Sequence, residues 1–219
     1  MAAGPPEADR GVRAHGWAGI PVEAGGPRRA GRGPLVDGER DGEWVFLFPG
    51  GGERARGTYA AELAQGEWTF FHPSGTKQKE GRYEGGRAEG PWKRWDTPGA
   101  EPTQVGEYRA GLPHGLQTWF FSDGLRRAEC EYREGAPHGR FERWSHAGVR
   151  VELGQYAEGL EEGLRTSFTD DGAKREEVSY RAGRRHGPYA RGRARPLRWR
   201  RSDRHLGFLP GERNLRGAG

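Results

Sequence analysis

The sequence predicts an all-β fold, an elongated meander of stacked β-hairpins with disordered N- and C-terminal tails. The first observation is a glycine, which we call the lead glycine, that recurs with a nearly constant period. A tyrosine keeps the same period, and short runs of β-forming residues alternate with turn residues between them. A fixed period of this kind indicates a repeat array, in which each unit buries its apolar surface only against its neighbours. The lead glycines are Gly42, Gly66, Gly90, Gly115, Gly139, Gly163 and Gly187, and the tyrosines are Tyr59, Tyr83, Tyr108, Tyr132, Tyr156 and Tyr180.

The chain begins with a segment, residues 1–40, that is rich in Ala, Gly, Pro and Arg. This composition lacks the apolar residues that a packed core requires, so we expect disorder. No apolar run approaches the ~20 residues of a transmembrane helix, and the N-terminus lacks the apolar stretch of a signal peptide. We therefore expect a cytoplasmic protein with no transmembrane segment. A leader lost to a wrongly assigned start remains the alternative.

Residues 41–190 form the predicted array of about six 24-residue repeats and a partial cap. In the repeat that begins at Gly66, a run of β-formers over 67–72 precedes a Pro-Ser-Gly turn. A second run ends at Tyr83, and the glycines after it turn the chain into the next unit. Each repeat is therefore a β-hairpin, and successive hairpins are expected to pair edge to edge.

Two columns of side chains after the lead glycine define the expected core. Position +2, the second position after the lead glycine, is mainly aromatic, and position +5 is apolar in every repeat that reaches it. We therefore expect the tightest packing at +5. Positions three apart lie on opposite faces of an ideal strand, so either both faces carry rings or a bulge brings the columns together. Position +2 is occupied by Trp44, Trp68, Trp92, Gln117, Phe141, Arg165 and Tyr189, and position +5 by Leu47, Phe71, Trp95, Phe120, Trp144 and Phe168.

Position +4 mixes rings with arginine, which is the composition of hot spots in protein interfaces. It is too varied for a uniform core, so we expect this column to be exposed and to contact a protein partner. The alternative is that position +4 is only the less buried face of the sheet. The candidate partner-binding residues are Phe46, Phe70, Arg94, Trp119 and Arg143.

A second glycine stands two positions before the tyrosine in four of six repeats. A glycine inside a strand commonly marks a close approach, so this column is expected to leave room for a ring of the adjacent strand. Cys130 takes this place in one repeat and is expected to be a small buried residue rather than a reactive thiol. The four glycines are Gly57, Gly81, Gly106 and Gly154.

The sequence contains no P-loop, no dinucleotide-binding glycine fingerprint, no Gly-x-Ser-x-Gly and no Cys-x-x-Cys. Equivalent histidines of neighbouring repeats are expected roughly 9–10 Å apart, too far to share a metal ion. We therefore expect no enzymatic activity, no catalytic residues, no bound metal and no cofactor.

Residues 191–219 form the predicted disordered, basic tail. Seven Arg and one acidic residue stand over 191–204. This segment is the expected attachment site for nucleic acid or an anionic lipid, with Trp199 stacking or inserting. A solvated tail whose arginines only reflect compositional bias is the alternative. The candidate polyanion-binding residues are Arg191, Arg193, Arg195, Arg198, Trp199, Arg200, Arg201 and Arg204.

The unit Tyr-x-x-Gly-x-x-x-Gly-x-aromatic occurs at 83–92 and 132–141, and its first part occurs at 108–115. It resembles the MORN repeat, and more closely the bacterial variant found in proteins labelled YwqK-like antitoxins. The resemblance covers residues 41–189 and implies a non-enzymatic scaffold that binds a protein partner through a sheet face. Two alternatives stay open: an antitoxin or immunity protein that neutralises a cognate toxin, and attachment to anionic lipid or nucleic acid through the Arg-rich tail.

Overall fold

The chain folds into one long antiparallel sheet whose strands follow the chain order. The computed structural model describes residues 31–187 and 190–191, and no residue within them is helical. The strands are β1 (Gly31–Arg32), β2 (Leu35–Val36), β3 (Glu39–Arg40), β4 (Gly42–Leu47), β5 (Glu53–Ala60), β6 (Leu63–Phe71), β7 (Lys77–Glu84), β8 (Arg87–Arg94), β9 (Gln104–Arg109), β10 (Leu112–Phe120), β11 (Arg126–Arg133), β12 (Ala136–Trp144), β13 (Arg150–Ala157), β14 (Leu160–Phe168), β15 (Lys174–Arg181), β16 (Arg184–Arg185) and β17 (Ala190–Arg191). Fifteen strands form the main sheet, and β2 and β3 form a separate hairpin. The predicted all-β meander is confirmed, whereas the predicted disorder of residues 1–30 and 192–219 lies outside the described residues.

Residues 31–40, which the sequence assigns to the disordered N-terminus, form the beginning of the array. The first of their strands, β1, pairs with β4. A Cβ atom added at Gly33 would lie 2.5 Å from the Trp44 ring, so this ring requires bare backbone beside it. Gly33 stands one repeat period before Gly57, which has the same role in the next repeat. The segment therefore corresponds to the second strand of a repeat, and the array includes residues 31–40 as well as 41–190.

Lead glycines lie in bulges that require a left-handed backbone, as the pairing shows for Gly66, Gly90, Gly115, Gly139 and Gly163. The seven lead glycines have φ between 67° and 89°, a region that a side chain makes costly. Between two consecutive pairs of β7 with β8, the chain advances one residue on β7 and three on β8, so Gly90 and Pro91 are extra residues. Such a bulge bends the strand and increases its twist. The glycine period of the sequence is therefore the period of these bulges.

A two-residue turn follows each tyrosine-bearing strand. Its central residues both have positive φ, 53° at Gly85 and 76° at Gly86, which is the type I′ geometry whose twist suits a hairpin. The second turn residue donates its N–H to a carbonyl of the preceding repeat, as Gly86 does to Ala64 at 2.8 Å. These hydrogen bonds join successive repeats along one edge of the sheet.

The first of these turns, Ala61-Glu62, keeps the same geometry although Glu62 replaces the glycine that the other turns have at the second position. Glu62 has a φ of 64°, and its carboxylate accepts hydrogen bonds from Arg40 N at 2.6 Å and Nε at 2.9 Å. These bonds lower the pKa of the Glu62 carboxyl. The pair ties the N-terminal hairpin of β2 and β3 to the first complete repeat.

The tyrosines share one face of the sheet with the residues at positions +2 and +4, and we call it the tyrosine face. Buried rings on this face form one cluster from Trp44 to Tyr108. Within it, Tyr59 meets Trp68 edge to face with 5.1 Å between ring centroids. Such pairs contribute about 0.5–1.5 kcal/mol beyond the area they bury. The core of the protein therefore lies along one face of the sheet.

Each indole at position +2 lies against the bare backbone of a glycine on the neighbouring strand. A Cβ atom added at Gly57 or Gly81 would lie 2.2 Å from the ring of Trp68 or Trp92, respectively. Both indoles also donate Nε1–H to the backbone carbonyl that lies ten positions earlier, at 3.2 Å. The glycine two positions before the tyrosine thus makes room for a ring, as the sequence predicts.

Other side chains supply the same donor where the indole is missing. Gln117 is fully buried, and its Nε2 donates to Glu107 O at 2.8 Å. Phe141 has no donor, but Cys130 on the facing strand donates its thiol to Glu131 O at 3.4 Å. The phenyl ring is smaller than an indole and leaves room for this side chain. Cys130 is therefore the small buried residue that the sequence predicts.

The expected packing at position +5 is wrong. Residues at +5 are half-buried, whereas Trp68 at +2 and Phe70 at +4 are 0% and 9% exposed. Positions +2 and +4 share a face because side chains alternate between the two faces of a strand. A bulge follows +4, but its extra residue, Gln78 in this repeat, lies on the partner strand and does not turn +5 to the same face. The +5 side chains therefore lie on the opposite side of the sheet, which we call the second face.

Alanine is expected to destabilise the array at Gly81 but not at Gly154. The new methyl group would lie 2.2 Å from Trp92 in the first case and 3.7 Å from Arg165 in the second. We expect Gly81→Ala to lose about 3 kcal/mol through overpacking and Gly154→Ala to gain about 0.5 kcal/mol by restricting the unfolded chain. Urea unfolding followed by tryptophan fluorescence measures both variants. Equal effects would contradict the packing of rings on glycine.

Tryptophan at position 117 is expected to stabilise the protein. Gln117 lies against the bare backbone of Gly106, and its buried Oε1 has no hydrogen-bond partner. An indole would fit over this glycine, keep the donor to Glu107 O and remove the unsatisfied oxygen. We expect a gain of about 1–2 kcal/mol in the free energy of unfolding for Gln117→Trp. The control Gln117→Phe, which lacks the donor, should gain less, and a loss of stability with tryptophan would refute the explanation.

Candidate functional site

The five predicted partner-binding residues lie in one row across the tyrosine face. The side chains of Phe46, Phe70 and Trp119 are 1%, 9% and 7% exposed. The prediction that position +4 is exposed is therefore wrong for these three rings, because they pack beside the +2 column. Arg94 and Arg143 are half-buried in the same row. In the order of pairing, the row contains Phe46, Ala55, Phe70, Lys79, Arg94, Gln104, Trp119, Ala128, Arg143 and Glu152.

The tyrosine face changes from rings to ion pairs toward its C-terminal end. Arg165 occupies position +2, where the first three repeats have tryptophan, and it donates to Glu152 and, at 2.5 Å, to Glu161. Arg143 Nε lies 3.2 Å from the same Glu152 carboxylate. Burial would lower the pKa of Arg165, but the two carboxylates outweigh burial and raise it. Two arginines and two glutamates balance in charge, so the cluster substitutes for the rings in closing this face.

The second face carries a row of half-buried apolar side chains, one at position +5 of each repeat. Cations lie over three of the rings. Arg56 Cζ is 5.3 Å from the centroid of Phe71, Lys77 Nζ is 5.8 Å from that of Trp95, and Arg126 Cζ is 5.1 Å from that of Trp144. Each of these cations also pairs with a glutamate of its own strand. Tryptophan and arginine are the residue types that dominate protein interfaces. The column expected to be core thus has the composition and exposure of a contact surface.

Exposed leucines extend the apolar surface of the second face. Six of the nine large apolar side chains that are exposed among the described residues lie on it. Three positions before the lead glycine, Leu63, Leu112 and Leu160 are 50%, 48% and 49% exposed, and at position +1 Leu116 and Leu164 are 48% and 50% exposed. The sequence prediction did not include these residues. The available signal was leucine at the same position in every second repeat.

Isolated reactive side chains of the array have structural partners. Burial raises the pKa of the Cys130 thiol to about 12, so this sulfur is protonated rather than a nucleophilic thiolate. His138 Nδ1 lies 3.1 Å from a carboxylate oxygen of Glu158 in the next turn. Within residues 31–187, no group of three or more His, Cys, Asp or Glu side chains is placed to hold a metal ion.

The basic tail enters the described structure only at its first residue. Arg191 lies in β17 and pairs with Glu176 of β15. The other candidate polyanion-binding residues, from Arg193 to Arg204 and including Trp199, lie outside the described residues. The part of the chain that the structure describes contains no helix with the length and apolar character needed to cross a membrane.

One of these hairpins matches a known family of repeats. Residues 64–84 match the family model described as MORN repeat variant. The matched segment spans β6 almost from its start and all of β7, so it is one complete hairpin with its lead glycine and tyrosine. The match supports a MORN-repeat protein, and the nearly constant period of the lead glycines extends the same hairpin to the other repeats. No curated protein matches the chain.

Proposed function

We propose that this protein is a non-enzymatic MORN-repeat scaffold that binds a protein partner along its second face. The observation that carries the proposal is the set of exposed leucines beside the half-buried row at position +5. Large exposed apolar surfaces on soluble proteins mark interaction sites. The tyrosine face is a poorer candidate because most of its rings already pack against one another.

The exposed leucines are spaced to meet an extended partner. Leu112 and Leu116 lie on β10, and Leu160 and Leu164 occupy the same positions on β14, four strands further along the sheet. At ~4.8 Å per strand, the two pairs are roughly 19 Å apart. A partner that covers both pairs therefore extends over several repeats, as is typical of binding to a repeat scaffold.

The charges of the second face favour a protein over a polyanion. The cations beside Trp95 and Trp144 are each paired with a glutamate, Lys77 with Glu80 at 2.6 Å and Arg126 with Glu129 at 3.1 Å. A surface with paired charges attracts a phosphate backbone weakly, because that attraction depends on net positive charge. Rings flanked by paired charges suit a protein surface, where aromatic anchors contribute most of the binding energy.

Serine substitution of Leu112, Leu116 and Leu160 tests the proposal. Their side chains are 48%, 48% and 49% exposed, so we expect the triple variant to keep its free energy of unfolding within about 1 kcal/mol. Tagged full-length protein captures its partner from the source cells, and the purified partner is then titrated against each variant. We expect the triple variant to bind at least about tenfold more weakly.

The matched control is Leu125→Ser, which removes an equally exposed leucine, 46% exposed, from a loop between β10 and β11. This variant should bind the partner with unchanged affinity. Equal affinity of the parent and the triple variant would place the partner elsewhere and refute the proposal.

A further inference from the structure

A pocket opens at the loop end of the sheet, where the row of position +4 crosses β7 and β8. It has a volume of about 190 Å³ and opens to solvent. Its lining is more basic than acidic, with one lysine, one arginine and one histidine against a single aspartate. The lining residues are His72, Gln78, Lys79, Arg94, Trp95 and Asp96.

Two cations on neighbouring strands line this pocket. Lys79 on β7 pairs directly with Arg94 on β8, and such neighbours have Cβ atoms about 4.5–5.5 Å apart. Like charges directly opposite each other destabilise a sheet. Of the seven equivalent pairs in the described part of the chain, this one alone joins two cations. Because this pairing disfavours folding and occurs in a single repeat, it indicates a role other than packing. The other six pairs are Gly31–Phe46, Ala55–Phe70, Gln104–Trp119, Ala128–Arg143, Glu152–Ser167 and Glu176–Arg191.

Each of the two cations has a partner beside the pocket. Lys79 Nζ lies 4.4 Å from the ring centroid of Phe70, so the ammonium lies over the neighbouring strand β6 on the tyrosine face. Arg94 Nη2 lies 2.7 Å from Asp96 Oδ1, whose side chain is 53% exposed. An ion pair at this exposure contributes little stability. An incoming anion therefore has little to displace when it binds the guanidinium.

The wall of the pocket is fixed by hydrogen bonds. Gln78 is the extra residue of the bulge that follows position +4, and its carbonyl accepts from Trp95 N at 2.8 Å. His72 Nε2 lies 2.8 Å from Trp95 O, and a carbonyl can only accept, so this nitrogen carries a proton. These bonds hold the imidazole and the Trp95 backbone in place before any ligand arrives, which lowers the cost of binding.

We propose that this pocket binds the carboxylate of an acidic side chain from a protein partner. The Arg94 guanidinium has the planar geometry to bond both carboxylate oxygens, and Lys79 adds a second charge from the facing strand. A volume of about 190 Å³ admits a single side chain, whereas a membrane or nucleic acid requires a broad basic surface. The Asp96 carboxylate at the rim also opposes a multiply charged phosphate. The variants that test this site leave Leu112, Leu116 and Leu160 unchanged, so this site and the proposed function can fail independently.

Calorimetric titration of the full-length protein with a capped pentaglutamate peptide, at about 0.15 M salt, tests the proposal. We expect the double variant Lys79→Gln, Arg94→Gln to bind the peptide at least about tenfold more weakly, because it loses the charge-assisted hydrogen bonds. The control Arg82→Gln, Lys93→Gln removes two cations from the same two strands on the second face and should change affinity less than about twofold. All variants keep the Arg-rich segment 191–204, so its attraction for the peptide is constant.

Urea unfolding without peptide separates binding from a structural role. The double variant removes the repulsion between Lys79 and Arg94, but also the contact of Lys79 with Phe70 and the exposed ion pair of Arg94 with Asp96. It should therefore unfold at a urea concentration close to that of the parent while it binds the peptide more weakly. If the double variant fails to fold, Arg94→Lys replaces it. This single change keeps the charge but loses the bidentate geometry, and should weaken binding at least about threefold.

Three results would overturn the proposal. Equal loss in the two double variants would show non-specific attraction by net charge. Unchanged affinity in the variants of Lys79 and Arg94 would show that the pocket does not bind carboxylates. If these variants instead lost binding to phosphatidylserine vesicles and kept binding to the peptide, the pocket would belong to a membrane contact.

Discussion

The array depends on the contact between a ring at position +2 and the bare backbone of a glycine on the neighbouring strand. The sequence is only 32% hydrophobic, so a few large rings must bury most of the apolar area. At Gly57 and Gly81 no side chain fits beneath the indole. The same indoles bond a backbone carbonyl beside the bulge of the lead glycine. One tryptophan side chain thus fills the core and donates a hydrogen bond to the backbone carbonyl beside the bulge.

This contact gives the two faces of the sheet different roles. Where the tryptophan is absent, the tyrosine face is closed by Gln117, by Phe141 with Cys130, or by Arg165 with its two carboxylates. Most rings of the tyrosine face pack against one another. The leucines and the +5 row of the second face therefore stay available to a partner. The pocket at Lys79 and Arg94 is the place where the tyrosine face departs from this rule.

The hairpins, their period and the glycine column follow from the sequence, because left-handed glycines and turn residues repeat at fixed spacing. Which columns of side chains share a face could not be predicted, since sequence spacing does not reveal which strand carries the extra residue of a bulge. Gln78 lies on the partner strand, so Phe70 is buried and Phe71 is half-exposed, the reverse of the prediction. The place of residues 31–40 in the array was detectable: Gly33 stands one repeat period before Gly57, but its neighbours resemble a disordered tail. The exposed leucines were passed over because they do not recur in every repeat.

Hydrogen exchange of the tryptophan indole protons, followed by NMR in D₂O, tests the central claim most directly. The Nε1 protons of Trp44, Trp68 and Trp92 should exchange slowly, because each is donated to a backbone carbonyl from a buried ring. Those of Trp95 and Trp144 should exchange fast, because these rings are half-exposed on the second face. Fast exchange at Trp68 and Trp92 together with slow exchange at Trp95 and Trp144 would show that the core lies on the other face and would contradict the account.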